Sequence, residues 1–390
     1  MDNLRQLIEQ QFSYVQGLRR LFHSHPELSG QEFSTQQKIL AELAAMGIAA
    51  RPAAGTGVIA DIAGGLPGKT VALRADMDAL ALAEELDTSY KSQNSGVCHA
   101  CGHDGHMAML LGLAKIFTAQ RHELPGRLRL VFQPSEENFP GGASSMIAEG
   151  ALTGVDAILG AHLWQPLDSG CMAVLTGPVM ASANQFSITV QGRGGHASMP
   201  QQTVDAILTG AQIVAALNTV VARSVDPQAA AVVSVGVFRA GEAPNIIADS
   251  AFIHGTVRVF DTELRQAIFH RIEEIATGIC QAAGASCLVE LCAGYPPVIN
   301  NSAAVVDAVV NAGRQTLGAA GVVPFRPVLA GEDFGYYLEQ VPGAFMFIGA
   351  GNPAAGITYP HHHPKFDIDE QALVGGMEVL ARAALNLLSN

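Results

Sequence analysis

The pattern of apolar runs changes character twice along this chain, and that change limits the possible folds more than any other feature. Short β-rich runs at 58–62, 71–74, 128–132, 157–161 and 172–175 alternate with amphipathic stretches at 2–22, 31–46 and 107–119. Apolar residues at three-to-four spacing, such as Leu4, Leu7, Ile8 and Phe12, mark the first stretch as a helix. The alternation predicts an α/β sheet covered on both faces. From residue 185 the order becomes strand (186–190), helix (203–222), strand (231–238), strand (251–259), helix (262–282) and strand (286–292). That β-α-β-β-α-β series is the ferredoxin-like unit. After Pro296-Pro297 the α/β pattern resumes. The expected fold is a discontinuous α/β domain, residues 1–182 plus 297–390, with a smaller domain, residues 183–296, inserted into it. At 390 residues the chain exceeds what one core supports, and insertion is tolerated because domain termini often lie close together.

Composition removes several function classes. A formal net charge of −13 argues against nucleic acid, which needs a basic patch. No uninterrupted apolar run reaches the roughly 18 residues of a membrane span. Met1-Asp2-Asn3-Leu4-Arg5 reads as a polar helix start and not a signal peptide. Six cysteines are too few for a disulfide scaffold, so reduced thiols or ligands in a cytoplasmic protein are expected.

Polar chemistry is concentrated in a few places. Cys98-His99-Ala100-Cys101-Gly102-His103-Asp104-Gly105-His106 packs two thiols, three imidazoles and a carboxylate into nine residues, a mixture that suits Zn²⁺ and its first-row neighbours. Cys101 and His103 precede the 107–119 helix, whose dipole should favour a thiolate. Cys98 and Cys101 form a C-x-x-C pair, but no second pair completes a zinc knuckle, so Cys98 is not expected to be a ligand. His99 and His106 fit supporting or purely structural roles equally well. Glu136 and Glu137 follow the 128–132 strand and point to different sides, so one carboxylate can bind metal while the other faces substrate. Asp76 and Asp78 alternate onto one side, where Arg74 or a metal would offset their charge; a turn role for Asp78 is equally consistent with the spacing. His162 closes the 157–161 run, and a lone histidine there is more often a core residue. The run 361–363 is three histidines, too concentrated for packing.

In the inserted region, Gly192-Arg193-Gly194-Gly195-His196-Ala197-Ser198 is a glycine-rich loop of the kind that cradles anions, without the Lys-Ser/Thr of a P-loop. His196 reads as a donor to a carbonyl or oxyanion. Arg258, a cation in an apolar strand, calls for a carboxylate from the protein or the substrate. Asn245 belongs to the same region.

Taken together, these residues resemble the M20 metallopeptidase family, most closely its aminoacylase/hippurate hydrolase branch. The resemblance rests on Leu21-Phe22-His23-Ser24-His25-Pro26-Glu27-Leu28, Ala75-Asp76-Met77-Asp78-Ala79-Leu80, residues 98–106, Gln133-Pro134-Ser135-Glu136-Glu137, residues 192–200, Gly331-Glu332-Asp333-Phe334 and residues 361–366. It implies a zinc-peptidase-like catalytic domain and an inserted dimerisation or lid domain. It implies metal ligands at Cys101, His103, Glu137, His162 and His362, a general base at Glu136, catalytic support from Asp76 and Asp78, and oxyanion stabilisation by His196. Asn245 and Arg258 are expected to bind substrate. One hydrolytic zinc usually takes three protein ligands, so this set implies two divalent ions, Zn, Mn, Co or Ni, sharing a water. The implied activity is hydrolysis of N-acyl amino acids to a carboxylic acid and a free amino acid. The alternatives are a dipeptidase or carboxypeptidase of the same superfamily, or a non-catalytic metal- or conjugate-binding protein. The expected partners are a small-molecule N-acyl amino acid and further copies of the chain, as a homodimer or homotetramer, with no nucleic acid and no membrane.

Overall fold

Leu4, Ile8, Val15, Leu18 and Phe22 recur at helical spacing and are buried along one face of the helix Leu4–Ser24. This helix packs on the helices His103–Ala119 and Ala372–Ser389. Gly112 permits the close approach: a Cβ there would lie 2.6 Å from Val15 Cγ2 and 2.8 Å from Met377 Sδ. The computed structural model describes residues 3–389. Two units are present, one of residues up to Val179 with Val298–Arg326 and Asp333 onward, the other of Met180–Pro297 and Pro327–Glu332.

The first unit holds a seven-stranded sheet in the order Ala50–Ala53, Gly57–Ala63, Pro125–Gln133, Leu66–Asp76, Ala157–Asp168, Gly343–Gly351, Met172–Ala173. The four strands from Pro125–Gln133 to Gly343–Gly351 pair in parallel, and the outer strands pair antiparallel. Parallel neighbours need a crossover, and His103–Ala119 supplies one between Leu66–Asp76 and Pro125–Gln133. Every residue of Gly343–Gly351 is buried, as expected of an interior strand covered on both faces. The carboxyl ends of parallel strands, where ligands gather in open α/β sheets, carry Asp76 and the loop after Gln133. The helix Ala372–Ser389 is long and apolar enough to cross a membrane, but 67% of its apolar window is buried in the protein. It packs on strands and on the helix Ala303–Leu317 as a core helix.

The second unit has strands Ser182–Gln191, Ala231–Ala240, Ser250–Val259 and Ser286–Tyr295. The spatial order is Ala231–Ala240, Ser250–Val259, Ser182–Gln191, Ser286–Tyr295, with every pair antiparallel. Phe186, Ile188 and Val190 alternate into its core against Ile268, Ile272 and Ala276 of the helix Thr262–Ala283. The helix expected over 203–222 is broken: Asp205 caps a helix Ala206–Leu217, and a shorter one, Thr219–Ser224, follows. Asn218 makes the break, its side-chain amide bonding back to Val214 O at 2.8 Å.

Candidate metal centre

Three loops and one strand of the first unit bring the ligand-type residues together. Cys101, His103 and His162 form one group whose ligand atoms lie within 4.8 Å of one another, and Cys101, Glu137 and His362 form a second. The thiol is common to both. His103, Glu136 and Glu137 form a third group. Cys101 Sγ is 3.5 Å from His162 Nε2, and His362 Nε2 is 3.2 Å from Glu137 Oε1.

Two of the imidazoles are oriented by the far nitrogen. His103 Nδ1 donates to the Asp78 carbonyl at 2.9 Å, and His162 Nδ1 donates to the Leu163 carbonyl at 3.0 Å. In their neutral forms both histidines thereby turn an Nε2 acceptor into the cluster, the arrangement that metal-binding histidines use. His103 Nε2 and Glu137 Oε1 are buried and, among the described residues, neither makes a well-directed hydrogen bond, although His362 Nε2 approaches the carboxylate oxygen. Buried polar atoms are rarely left so, and a cation is what these two fit. His162 lies within the strand Ala157–Asp168, which runs six residues beyond it; it does not close the strand as the sequence suggested.

The structure separates the histidine triplet. His361 Nε2 donates to Leu163 O at 3.0 Å while its ring stacks on Trp164, 4.7 Å between centroids. His363 stacks on Tyr359 at 4.5 Å. His362 alone of the three faces Glu137, and it does so from a left-handed backbone, φ 63°. Ser135, just before the glutamate pair, is also left-handed, φ 56°. Such conformations cost about 1–3 kcal/mol in a non-glycine residue and concentrate at functional sites. Here hydrogen bonds hold them: His362 N–H to Ala100 O at 2.8 Å, Ser135 N–H to Glu32 Oε1 at 2.9 Å.

Charge at the site is lopsided. Burial favours the neutral form of His103, yet the Asp76, Asp78 and Glu137 carboxylates outweigh it and push the imidazole up to about 10. Burial, then His106 and His361, hold His162 well below the ordinary histidine value. Burial and the neighbouring Glu137, Glu136 and Asp76 raise the Cys101 thiol well above its ordinary value. The helix dipole expected to favour a thiolate is therefore overridden, and a bound cation is what would stabilise one. Cys98 is also buried, which pushes its thiol up to about 12, and it joins none of the ligand groups.

Asp76 and Asp78 are engaged by the protein. Asp78 accepts from the backbone N–H of Glu136 at 3.0 Å and of Glu137 at 2.9 Å, and from Ser29 Oγ at 2.6 Å. It holds the glutamate pair in place. Asp76 receives Arg74 Nη1 and His106 Nδ1, each at 2.5 Å, while His106 Nε2 accepts from Leu163 N–H at 2.8 Å. Arg74 also reaches Asp333 at 3.0 Å. Sequence reasoning missed the layer behind. Arg19 is fully buried and pairs with Asp104 at 2.8 Å, Asp367 at 2.6 Å and Glu370 at 3.3 Å. His23 sits between Asp104 (2.7 Å) and Glu84 (3.2 Å). Asp104 adjoins His103, and Asp367 and Glu370 follow His362, so this network ties the segments that carry these two histidines to the first helix. The available signal was an arginine and a histidine four apart in that amphipathic helix.

His196, Asn245 and Arg258 lie in the second unit. His196 is exposed, and its Nδ1 accepts from Ser198 Oγ at 2.8 Å. A short ribbon pairs it with Ile246, beside the exposed Asn245. The glycine-rich loop is not an open anion cradle as expected: the N–H groups of Gly192, Arg193 and Ala197 donate to the carbonyls of Asp249, Val204 and Asn245. Arg258 is half-buried and bonds to Thr256 Oγ1 and the carbonyls of Asn184 and Val257. Among the described residues no carboxylate pairs with it.

Comparison with known proteins gives a consistent likeness. Residues 72–386 match Peptidase family M20/M25/M40. An N-acyl-L-amino acid amidohydrolase of Geobacillus stearothermophilus is 46% identical over 77% of this chain and 81% of its own. Thermostable carboxypeptidase 2 of Saccharolobus solfataricus is 39% identical over 99% of this chain and 98% of its own. Among solved structures, the Bacillus subtilis YXEP protein, a dinuclear metal-binding peptidase from the M20 family, superposes with a TM-score of 0.84 at 35% identity, covering 97% of this chain and 99% of its own.

Proposed function

Because the chain belongs to peptidase family M20/M25/M40 and is a metal-dependent amide hydrolase, we propose that it cleaves N-acyl amino acids to a carboxylic acid and a free amino acid. The observation that carries this reading is the pair of ligand groups meeting at Cys101, with Glu136 beside them.

Cys101, His103, Glu137, His162 and His362 would hold two divalent cations, which when bound acidify a water and polarise the amide carbonyl. Glu136 is buried, and its backbone is fixed by Asp78. It takes the proton of the attacking water, holds it, and delivers it to the departing amide nitrogen as the C–N bond breaks. Asp78 and Asp76 are positioning residues, the first for the glutamate pair and, through its carbonyl, for His103, the second for His106. His196 and Asn245 are assigned the donors to the developing oxyanion and the substrate carbonyl. Arg258 receives the substrate carboxylate; its support is a half-buried guanidinium with only neutral acceptors. Assembly as a homodimer or homotetramer belongs to the same proposal, supported by exposed apolar side chains of the second unit such as Leu208, Ile246 and Leu288, and sedimentation velocity tests it.

Glu136→Gln is expected to lower kcat by about a thousandfold or more, the upper part of what a positioned acid–base group contributes, with metal content normal by elemental analysis. Loss of metal together with activity would make Glu136 a ligand instead. The likeness to a carboxypeptidase favours a second reading, cleavage of peptides from their carboxyl end. Relative kcat/KM on N-acyl amino acids and on dipeptides separates the two.

A further inference from the structure

Glu32 is fully buried, yet the helix it precedes, Phe33–Ala45, does not use its side chain as a cap. The first N–H groups of that helix, at Ser34 and Thr35, donate instead to Glu27 at 3.1 and 2.8 Å. Burying a carboxylate is costly unless hydrogen bonds compensate it. The donors to Glu32 come from elsewhere in the chain: Thr56 Oγ1 reaches Oε2 at 2.5 Å, and the Ser135 N–H reaches Oε1 at 2.9 Å. Thr56 is itself buried, in the turn between the strands Ala50–Ala53 and Gly57–Ala63. Gln36, one helical turn after Glu32, fixes that turn through the carbonyls of Gly55 and Gly57 at 3.0 and 2.9 Å. Gly57 lets the turn close on the glutamate loop, since a Cβ there would lie 2.7 Å from Pro134 Cδ.

We propose that Glu32 is a positioning residue for Glu136: it holds Ser135 in its left-handed backbone and so sets the direction in which the base leaves the chain. The inference rests on the reading of Glu136 as the base and goes beyond it. Three successive N–H groups, of Ser135, Glu136 and Glu137, end on two buried carboxylates, Glu32 for the first and Asp78 for the other two. Residues with a Cβ seldom occupy the left-handed region. Without its acceptor, Ser135 is free to relax to the ordinary extended region, and that relaxation swings the residue after it. Glu137, as a ligand, is drawn into place by its cation. A base that takes and returns a proton has no such bond and depends on its backbone for direction. A displacement of about 1 Å at a reacting group costs up to about a hundredfold in rate.

The test compares Glu32→Met, Glu32→Gln and the double variant Glu32→Met/Ser135→Gly, each as the full chain loaded with Zn²⁺ or Mn²⁺ and assayed on N-acetyl and N-benzoyl amino acids. Methionine keeps the length of the side chain and removes the carboxylate. Glu32→Met should lower kcat by about ten- to a hundredfold, with KM within about twofold of wild type and metal content normal. Glu32→Gln, whose amide oxygen still accepts the Ser135 N–H, should stay within about threefold of wild type. Glycine adopts the left-handed region without steric cost, so the double variant should regain at least about fivefold of the loss. A purely structural role for Glu32 would not be relieved by a change at Ser135, and thermal unfolding of each variant reports stability separately from kcat. If Glu32→Met does not fold, Thr56→Val, which releases the other carboxylate oxygen, should show the same kcat-only loss at smaller size. Wild-type kcat in the variant that folds overturns the proposal, as do equal losses in the single and double variants, or loss of metal alongside activity. Absence of wild-type turnover on every acylated amino acid and dipeptide, with metal bound, instead overturns the hydrolase reading beneath it.

Discussion

Arg19, in an amphipathic helix of the first unit, and Arg258, in a strand of the second, are both arginines drawn at least partly out of water, yet their surroundings are opposite. Arg19 is fully buried, is met by three carboxylates, and lies 4.8 Å from the Tyr90 ring centroid. Burial alone would lower its pKa, but Asp104 and Asp367 outweigh that and raise it. Arg258 is half-buried with only neutral acceptors, and burial lowers its pKa. A guanidinium with its fork satisfied acts as a joint between segments. One whose charge is not neutralised by its own protein is ready for an anionic ligand. The same residue type therefore serves in one unit as a charge-neutralised joint and stands in the other with its charge unpaired by any carboxylate among the described residues.

The largest effect should come from Arg19→Met, which leaves three carboxylates facing a methionine. Breaking a buried pair costs about 3–5 kcal/mol, so denaturant unfolding should show a loss of that order, with metal affinity reduced in chelator competition. Arg258→Met should leave stability within about 0.5 kcal/mol of wild type. Equal destabilisation by the two variants would break the comparison.

A smaller effect is expected on catalysis from Arg258→Met. Charge-assisted hydrogen bonds contribute about 1.5–3 kcal/mol, so KM for N-acyl amino acids should rise by about ten- to a hundredfold. The corresponding N-acyl amino acid amides, which lack the carboxylate, should be turned over alike by both proteins. A parallel loss on the amides would remove Arg258 from carboxylate recognition.

The smallest effect concerns acid. Burial would raise the Asp104 carboxyl, but Arg19 and His23 outweigh it and hold the group far below its ordinary 3.8. A depressed carboxylate stabilises the fold above its unfolded pKa, and that stabilisation is lost as pH falls through the folded value. Stability should decline below pH about 4, and the slope should be shallower in Arg19→Met. Identical slopes would uncouple Asp104 from the joint.

Much of the architecture is readable from residue pattern because periodicity is a local property. Alternation at Phe186, Ile188 and Val190 and helical spacing at Leu4, Ile8 and Val15 mark their elements directly. The interior strand Gly343–Gly351 is buried on both faces, so it has no alternation, and apolar runs of that kind do not distinguish strand from helix. The start of the helix His103–Ala119 is hidden for the opposite reason. His103, Asp104 and His106 read as a polar loop, yet they are buried, because Asp76, Asp78 and Arg19 pair with them from elsewhere in the chain.

Ligand chemistry is equally local in origin. Thiol, imidazole and carboxylate groups crowded at 98–106, 136–137 and 361–363 announce a metal centre in one dimension. Which histidine of the triplet faces Glu137, the nitrogen that His103 turns inward, and the placing of the glutamate pair depend on Leu163, Trp164, Asp78 and Ala100, residues tens to hundreds of positions away; only His162 is turned locally, by the carbonyl of the adjacent Leu163. Residue type carries the capacity to bind a cation, but direction comes from hydrogen bonds across the fold, and contacts at such separation leave no trace in spacing along the chain.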